Sequence, residues 1–378
     1  MANMLDYLVW RGDITIHQAG INVIDCFIMS QISYMNFDGV VGDSPAASFG
    51  EAEITIKEAS KRLFKLREQA SEGLLLSDNN DTMLLKGLAL SRRFCNMKLA
   101  AYVNKCDEEE EKQFSAICIF PGDNTVYISF RGTDDTLVGW KEDLNMSFQS
   151  PVPSQIEALE YLKTIAKEFD GKIRLGGHSK GGNLAVYAAS FCDLEIQKRI
   201  RSVYCFDGPG FINKVLNDSN FGKVEARIHA FVPQSSVVGM LLGHSVKYTV
   251  VESVQTGLYQ HDPYSWKVIR NNFICLESIS PESRFMDATL EEWIYSMNSE
   301  QRREFVEAVY FIIQQTEAKT LLELSVNGLK NAKLIIKTMR NMEPATKKML
   351  QKTFSGLMKI AGRNLKYSKN TEVKNVKI

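Results

Sequence analysis

The spacing of apolar residues divides the chain into a helical beginning, an alternating middle and a helical end. In segments 21–35, 51–66 and 82–94, apolar side chains recur at steps of three and four residues, which predicts helices. After about residue 286 the pattern is helical again. We therefore expect one domain over residues 1–285, with its N-terminal helical segment at 1–100, followed by a C-terminal helical extension at 286–378.

In the middle of the chain, β-branched and aromatic runs alternate with helical segments. The predicted strands cover residues 114–120, 125–132, 172–177, 201–208, 226–232 and 246–253. Helices are predicted at 154–169 and 183–191, and the Pro-Gly-Asp-Asn turn at 121–124 predicts a hairpin. Strands that alternate with helices favour an α/β fold, in which a mostly parallel central sheet is flanked by helices.

One turn in this alternation carries candidate chemistry. Residues 177–181 read Gly-His-Ser-Lys-Gly, which fits the pattern G-x-S-x-G, and the turn follows a predicted strand and precedes a predicted helix. That context is typical of a nucleophile elbow, in which a strained turn exposes the serine hydroxyl at a helix N-terminus. We expect Ser179 to be a nucleophile; the alternative is a tight turn that holds an inert serine.

A second element, residues 130–144, supplies candidates for an oxyanion hole. A serine hydrolase needs two backbone N–H donors for its tetrahedral intermediate, one from the residue after the nucleophile and one from a loop after an earlier strand. Lys180 follows Ser179, and Thr133 lies just beyond the strand 125–132. The alternative for Thr133 is an ordinary polar loop.

In combination, these motifs resemble the class 3 lipase family. The resemblance covers residues 117–144 and 174–189, and rests on F-R-G-T at 130–133, W-x-x-D-L at 140–144 and the serine turn. It implies an α/β-hydrolase fold in which Thr133 is an oxyanion-hole donor and Asp143 supports Thr133. The whole chain, from residues 3–13 through 260–266, also resembles an uncharacterised bacterial family of lipase-like α/β hydrolases.

Three histidines follow Ser179 and could serve as its base, because the fold orders its triad as serine, acid and histidine. His229 lies inside a predicted strand and reads as a packed core residue. His244 precedes a strand and is expected on the side of the sheet away from the serine. His261 follows the strand 246–253 on a loop, where the fold presents its base, so we expect His261 to take this role. The alternative is a capping or surface histidine.

The acid is where this sequence departs from the family. Class 3 lipases place it after the strand equivalent to 226–232, but residues 233–241 contain no carboxylate. Asp207 stands one strand earlier and is the expected acid; alternatively it only caps its own turn. Asp262 is a weaker substitute because it adjoins the base. A Ser179–His261–Asp207 triad would need no metal and no organic cofactor.

These residues lead to two hypotheses for function. The first is a serine hydrolase that cleaves carboxylic esters of lipids or other acyl compounds, with thioesterase or acyltransferase as close variants. The second is a non-catalytic hydrolase-fold protein that binds a lipid or a protein partner, which the missing acid in 233–241 keeps open. Whether the helices before residue 100 form a lid or line an acyl pocket is not decided by their sequence.

Composition and charge indicate the cellular compartment and the kinds of partner to expect. Apolar residues make up 44% and charged residues 24% of the chain, as in soluble globular proteins, and the seven cysteines are scattered, which favours reduced thiols in a cytoplasm. The net charge is zero, but residues 329–378 contain 13 Lys and Arg against two Glu, a local charge of +11. The basic amphipathic stretch 345–362 either contacts an anionic membrane or packs on the protein's own core, and no nucleic acid partner is expected.

Overall fold

The protein is built on one mixed sheet with helices on both faces. This structure is a computed structural model. It describes residues 2–43, 53–70, 79–134, 136–243, 246–316, 318 and 328–375. Within them, nine strands form the main sheet in the order β1-β2-β3-β4-β5-β6-β7-β8-β11, and β9 and β10 form a separate two-stranded ribbon.

The elements alternate as the sequence predicts through the middle of the chain. The strands are β1 (Ile54–Thr55), β2 (Lys98–Asp107), β3 (Lys112–Phe120), β4 (Thr125–Phe130), β5 (Lys172–His178), β6 (Ile200–Phe206), β7 (Ile228–Pro233), β8 (Tyr248–Val251), β9 (Val268–Ile269), β10 (Asn272–Phe273) and β11 (Cys275–Leu276). The helices are α1 (Met4–Arg11), α2 (Val23–Ile32), α3 (Ile56–Ala70), α4 (Asn80–Leu90), α5 (Leu137–Asn145), α6 (Pro153–Glu168), α7 (Lys180–Phe191), α8 (Leu194–Arg199), α9 (Asn213–Leu216), α10 (Ser219–Gly222), α11 (Pro281–Tyr295), α12 (Ser299–Gln314), α13 (Gly328–Asn341) and α14 (Pro344–Asn375).

The described sheet is evenly mixed rather than mostly parallel. Strands β4 to β8 pair in parallel, whereas β1 to β4 pair antiparallel, as does β11 with β8. The expectation of a mostly parallel sheet is wrong for the first half because the four-residue turn at 121–124 can only return the chain antiparallel. It holds for the half that carries the candidate site.

The two faces of the sheet bury separate apolar cores. Helices α6 and α7 pack on one face, where Leu162 and Leu184 are fully buried. Helix α2 packs on β4 and β5 from the other face, where Phe27 is fully buried. An ion pair between Asp25 on α2 and Arg93, both with fully buried side chains, ties this helix to the chain before β2. The first helices are therefore part of the core layer.

The C-terminal helices form a group of their own beside α5. Helix α14 packs along α11 and touches α12, and α12 packs against α5. Aromatic contacts join them: the ring of Phe305 on α12 lies 5.4 Å from Trp293 on α11 and 5.4 Å from Phe354 on α14. None of the helices in the described part of the chain combines the length and the apolar character needed to cross a bilayer.

Candidate active site

The turn between β5 and α7 holds Ser179 in a strained backbone conformation. Its φ is +57° and its ψ is −134°, a region that non-glycine residues rarely occupy. Its amide donates to the carbonyl of Phe206 at 2.9 Å, which fixes the turn against the end of β6. A β-carbon on Gly181 would lie 2.1 Å from the carbonyl oxygen of Phe130, so only glycine fits there. Ser179 thus stands at the carboxyl edge of the sheet and immediately before helix α7.

A buried carboxylate and a histidine meet at the same edge. Asp207 follows β6, is fully buried, and its Oδ2 lies 2.6 Å from Nδ1 of His261 at the end of the 3-10 helix Gly257–His261. Its Oδ1 accepts from the hydroxyl of Ser236 at 2.5 Å and from the amide of Gly239 at 3.2 Å. A carboxylate on Nδ1 requires the proton on that nitrogen, which leaves Nε2 of His261 able to accept one.

Ser179 and His261 line one cavity of about 340 Å³, together with Thr133, Asp143 and Lys180. The opposite wall comes from α11, α12 and the loop between them, and its contributors are Leu290, Trp293, Ile294, Met297, Arg302, Phe305 and Val306. Apart from Arg302, these side chains are apolar. The cavity therefore combines a polar end at the strand termini with an apolar wall from the C-terminal helices.

The loop after β4 lies directly against the serine. A β-carbon on Gly132 would stand 2.9 Å from that of Ser179, so the Gly132–Thr133 backbone passes beside the nucleophile candidate. The hydroxyl of Thr133 donates to Oδ2 of Asp143 at 2.6 Å. Burial raises the pKa of Asp143 to about 6, against the opposing pull of the Lys180 ammonium and of the Thr133 hydrogen bond. As the acceptor of the Thr133 hydroxyl, Asp143 holds the threonine side chain in place.

Lys180 also contributes a buried side chain, which the sequence analysis did not single out. Its Nζ donates to the carboxylate of Glu142 at 2.9 Å and to the backbone and side-chain oxygens of Gln113 at 2.9 and 3.0 Å. The side chains of Lys180 and Glu142 are both fully buried. Glu142 also accepts from the amide of Ser154 at 2.8 Å. The first residue of α7 is thereby fixed to β3 and α5 beneath the cavity.

His178 is a second residue that the sequence does not single out, because it precedes Ser179 and the fold places its base after the nucleophile. Its Nε2 lies 2.9 Å from the carbonyl oxygen of His261, and the two rings lie 4.5 Å apart. Its Nδ1 lies 3.1 Å from the hydroxyl of Tyr34. Burial, and next to it the charge of His261, hold the pKa of His178 well below its ordinary value. A neutral His178 that donates from Nε2 can hold the backbone of His261 in place.

The other histidines lie elsewhere. His229 is on β7 as predicted, but its side chain is exposed and stacks on Tyr204 with ring centres 5.1 Å apart, so the expectation of a packed core residue is wrong. His244 lies outside the described residues. Asp262 accepts from the amide of Tyr264 at 3.0 Å, as a turn cap. Across the described ranges, no group of three or more His, Cys, Asp or Glu side chains is placed to hold a metal ion.

Three solved structures show local likeness to this chain. The Rhizomucor miehei lipase propeptide complex is 16% identical, over 48% of this chain and 71% of that one, with a TM-score of 0.33. A lipase from Rhizopus microsporus var. chinensis is 18% identical, over 61% and 85%, with a TM-score of 0.29. The M37 lipase is 13% identical, over 65% and 83%, with a TM-score of 0.32. A search of curated proteins gives no match.

A family model described as Mbeg1-like matches residues 88–311. The match covers more than half of the chain and runs from the end of α4 through most of α12. It includes the strained turn, the Asp207–His261 pair and the helices that wall the cavity. The chain belongs to the Mbeg1-like family.

Proposed function

We propose that this protein is a serine hydrolase that cleaves carboxylic esters of acyl or lipid compounds through Ser179, His261 and Asp207. The observation that carries the proposal is the 2.6 Å contact between Asp207 and His261 at the rim of the cavity that Ser179 also lines. A buried carboxylate on Nδ1 sets the tautomer in which Nε2 takes the serine proton. The order of the three motifs, which resembles class 3 lipases, supports the same reaction.

The reaction follows from these positions. His261 removes the proton from the Ser179 hydroxyl, whose oxygen attacks the ester carbonyl. The amides of Thr133 and Lys180 receive the negative charge that develops on the carbonyl oxygen. The alcohol leaves with the proton from His261, and water then cleaves the acyl-enzyme by the same route. No step requires a metal or an organic cofactor.

The apolar wall of the cavity supports an acyl group as the part of the substrate held there. Trp293, Ile294 and Phe305 would bury methylene groups, each worth about 0.8 kcal/mol. The non-catalytic alternative rests on the missing carboxylate in residues 233–241, and the contact between Asp207 and His261 supports the hydrolase over it. We also propose a cytoplasmic location, on the basis of the scattered cysteines.

A fluorophosphonate probe tests the proposal, because it reacts with an activated serine. Intact-mass measurement should show one adduct on the wild type and none on Ser179→Ala, together with a loss of p-nitrophenyl ester hydrolysis of at least about 10³-fold. Ser190→Ala is the matched control: Ser190 lies in the same helix, and its hydroxyl donates to the carbonyl of Val186 at 2.8 Å. Labelling that persists in Ser179→Ala would contradict the proposal.

A further inference from the structure

Helix α14 (Pro344–Asn375) has a packed face and an exposed face. On the packed face Leu350 and Ile360 are buried, the carbonyl of Thr353 accepts from Nε1 of Trp293 at 3.0 Å, and Asn364 contacts Thr289 at 3.2 Å. These contacts attach the helix along α11. Between Pro344 and Leu365, exposed side chains occupy the other side of the helix.

Two stripes with the same spacing run along the exposed face. One is apolar: Phe354 is 47% exposed, Met358 72% and Leu365 47%. The other is basic and consists of the exposed Lys348, Lys352 and Lys359. Each stripe follows the steps i, i+4 and i+11, which keep its members on one side of a helix. At 3.6 residues per turn the stripes lie roughly 120° apart, so both belong to one amphipathic surface.

We propose that this surface docks the protein on an anionic lipid bilayer. Phe354, Met358 and Leu365 would enter the interface between headgroups and acyl chains, and Lys348, Lys352 and Lys359 would lie at the level of the anionic headgroups. The charge of residues 329–378, at +11, is complementary to such a surface. Three exposed apolar side chains favour a bilayer over nucleic acid, whose backbone is bound through charge and hydrogen bonds.

The docking surface adjoins the cavity through one aromatic contact. The ring of Phe354 lies 5.4 Å from that of Phe305, and Phe305 lines the cavity that holds Ser179 and His261. A bilayer on α14 would therefore lie one side chain away from the cavity wall. The docking inference itself does not depend on the proposed hydrolysis, since it rests on the exposed stripes alone.

Vesicle co-sedimentation of the full chain tests the inference. The protein should bind vesicles of equal parts phosphatidylcholine and phosphatidylglycerol, and bind pure phosphatidylcholine at least about 100-fold more weakly. Lys348→Glu/Lys352→Glu/Lys359→Glu should weaken binding to the anionic vesicles by about 100-fold or more, at roughly fivefold per lysine. Met358→Ser should weaken it by about tenfold.

Matched controls separate this surface from overall charge and from catalysis. Lys61→Glu/Lys65→Glu/Lys167→Glu makes the same charge change at exposed lysines on α3 and α6, and should bind vesicles within about twofold to threefold of the wild type. The α14 lysine variant should keep its thermal unfolding midpoint and its hydrolysis of p-nitrophenyl acetate. Equal loss in both lysine variants would overturn the inference, as would tighter binding to a short DNA duplex than to the vesicles. Failure of ester hydrolysis in every protein would count against the proposed function only.

Discussion

At the scale of single residues, the site contains two residues with strained backbone conformations, one directly after each of two neighbouring strands. Ser179 directly follows β5 and has a φ of +57°, and Asp207 directly follows β6 and has a φ of +51°. The preceding residues, His178 and Phe206, are register partners in the sheet. Such conformations cost about 1–3 kcal/mol each for non-glycine residues and persist where the surroundings impose them. Their occurrence side by side places the serine and the carboxylate at the same edge.

The first prediction concerns the acid. Asp207→Asn should lower kcat for ester hydrolysis by about 10³- to 10⁴-fold, because an amide no longer holds His261 in the tautomer that accepts the serine proton. The fold should persist, since an amide oxygen can still accept from Ser236 and Gly239. Steady-state kinetics with a p-nitrophenyl ester and a circular dichroism melt would measure both.

Asp262→Asn is the control for that experiment. Asp262 adjoins His261 in sequence, but its carboxylate caps the turn at Tyr264, so the substitution should change kcat by only a few-fold. A larger loss in Asp262→Asn than in Asp207→Asn would show that the acid had been assigned to the wrong residue.

At the scale of elements, the start of α7 is held by a buried ion pair to α5. Lys180 and Glu142 have fully buried side chains and are joined at 2.9 Å, and Asp143 lies 4.0 Å from the same ammonium. The backbone amide of Lys180 is one of the two proposed oxyanion donors. A pair that anchors this side chain therefore also fixes the amide relative to Ser179.

The second prediction follows from that pair. Lys180→Met and Glu142→Gln should each destabilise the protein by about 3–5 kcal/mol, because each leaves one buried charge without its counter-charge. The double variant should be less destabilised than the sum of the two, and denaturant unfolding of all three completes the cycle. Lys198→Met, which breaks the exposed pair with Glu195, should cost less than about 1 kcal/mol. Additive losses from Lys180 and Glu142 would contradict the coupling.

The sequence predicts the alternating elements well and the antiparallel half of the sheet poorly. The hairpin of β3 and β4 is confirmed, because Pro-Gly-Asp-Asn determines the turn locally. The sequence does not predict strand β2, because its second half carries exposed polar side chains. Its partner β3 begins only five residues after it, so β2 is missed because it lacks a continuous β-branched or aromatic run, and not because its partner is distant.

The candidate site likewise has parts that the sequence predicts and parts that it does not. The turn at Ser179 and the loop at Thr133 could be found because spacing and glycines fix them locally. The roles of Lys180 and His178 could not, because each depends on a residue more than thirty positions away, Glu142 in one case and Tyr34 in the other. The cavity wall could not be predicted either, because the amphipathic pattern of α11 and α12 does not show which surface these helices pack against.

At the scale of the whole molecule, the cavity lies between the sheet and the C-terminal helices. Two polar contacts across this boundary hold α12 in place. Nζ of Lys141 on α5 lies 3.0 Å from the carboxylate of Glu307 on α12, and the guanidinium of Arg302 on α12 donates to the carbonyl of Ser147. Because α11 and α12 supply the apolar wall, these helices set how much apolar volume is available beside Ser179.

The last prediction concerns the length of the acyl chain. The cavity of about 340 Å³ is bounded by α11 and α12, so only an acyl chain of limited length fits within it. With p-nitrophenyl esters, kcat/KM should rise by up to about fourfold per added methylene, reach a maximum and fall for longer chains. Leu290→Trp, which fills part of the wall, should move the maximum to shorter chains, whereas Leu194→Trp on the exposed surface of α8 should leave it unchanged. Equal chain-length profiles in the wild type and Leu290→Trp would show that the acyl chain binds elsewhere, because a ligand that occupied this cavity would have to respond to the lost volume.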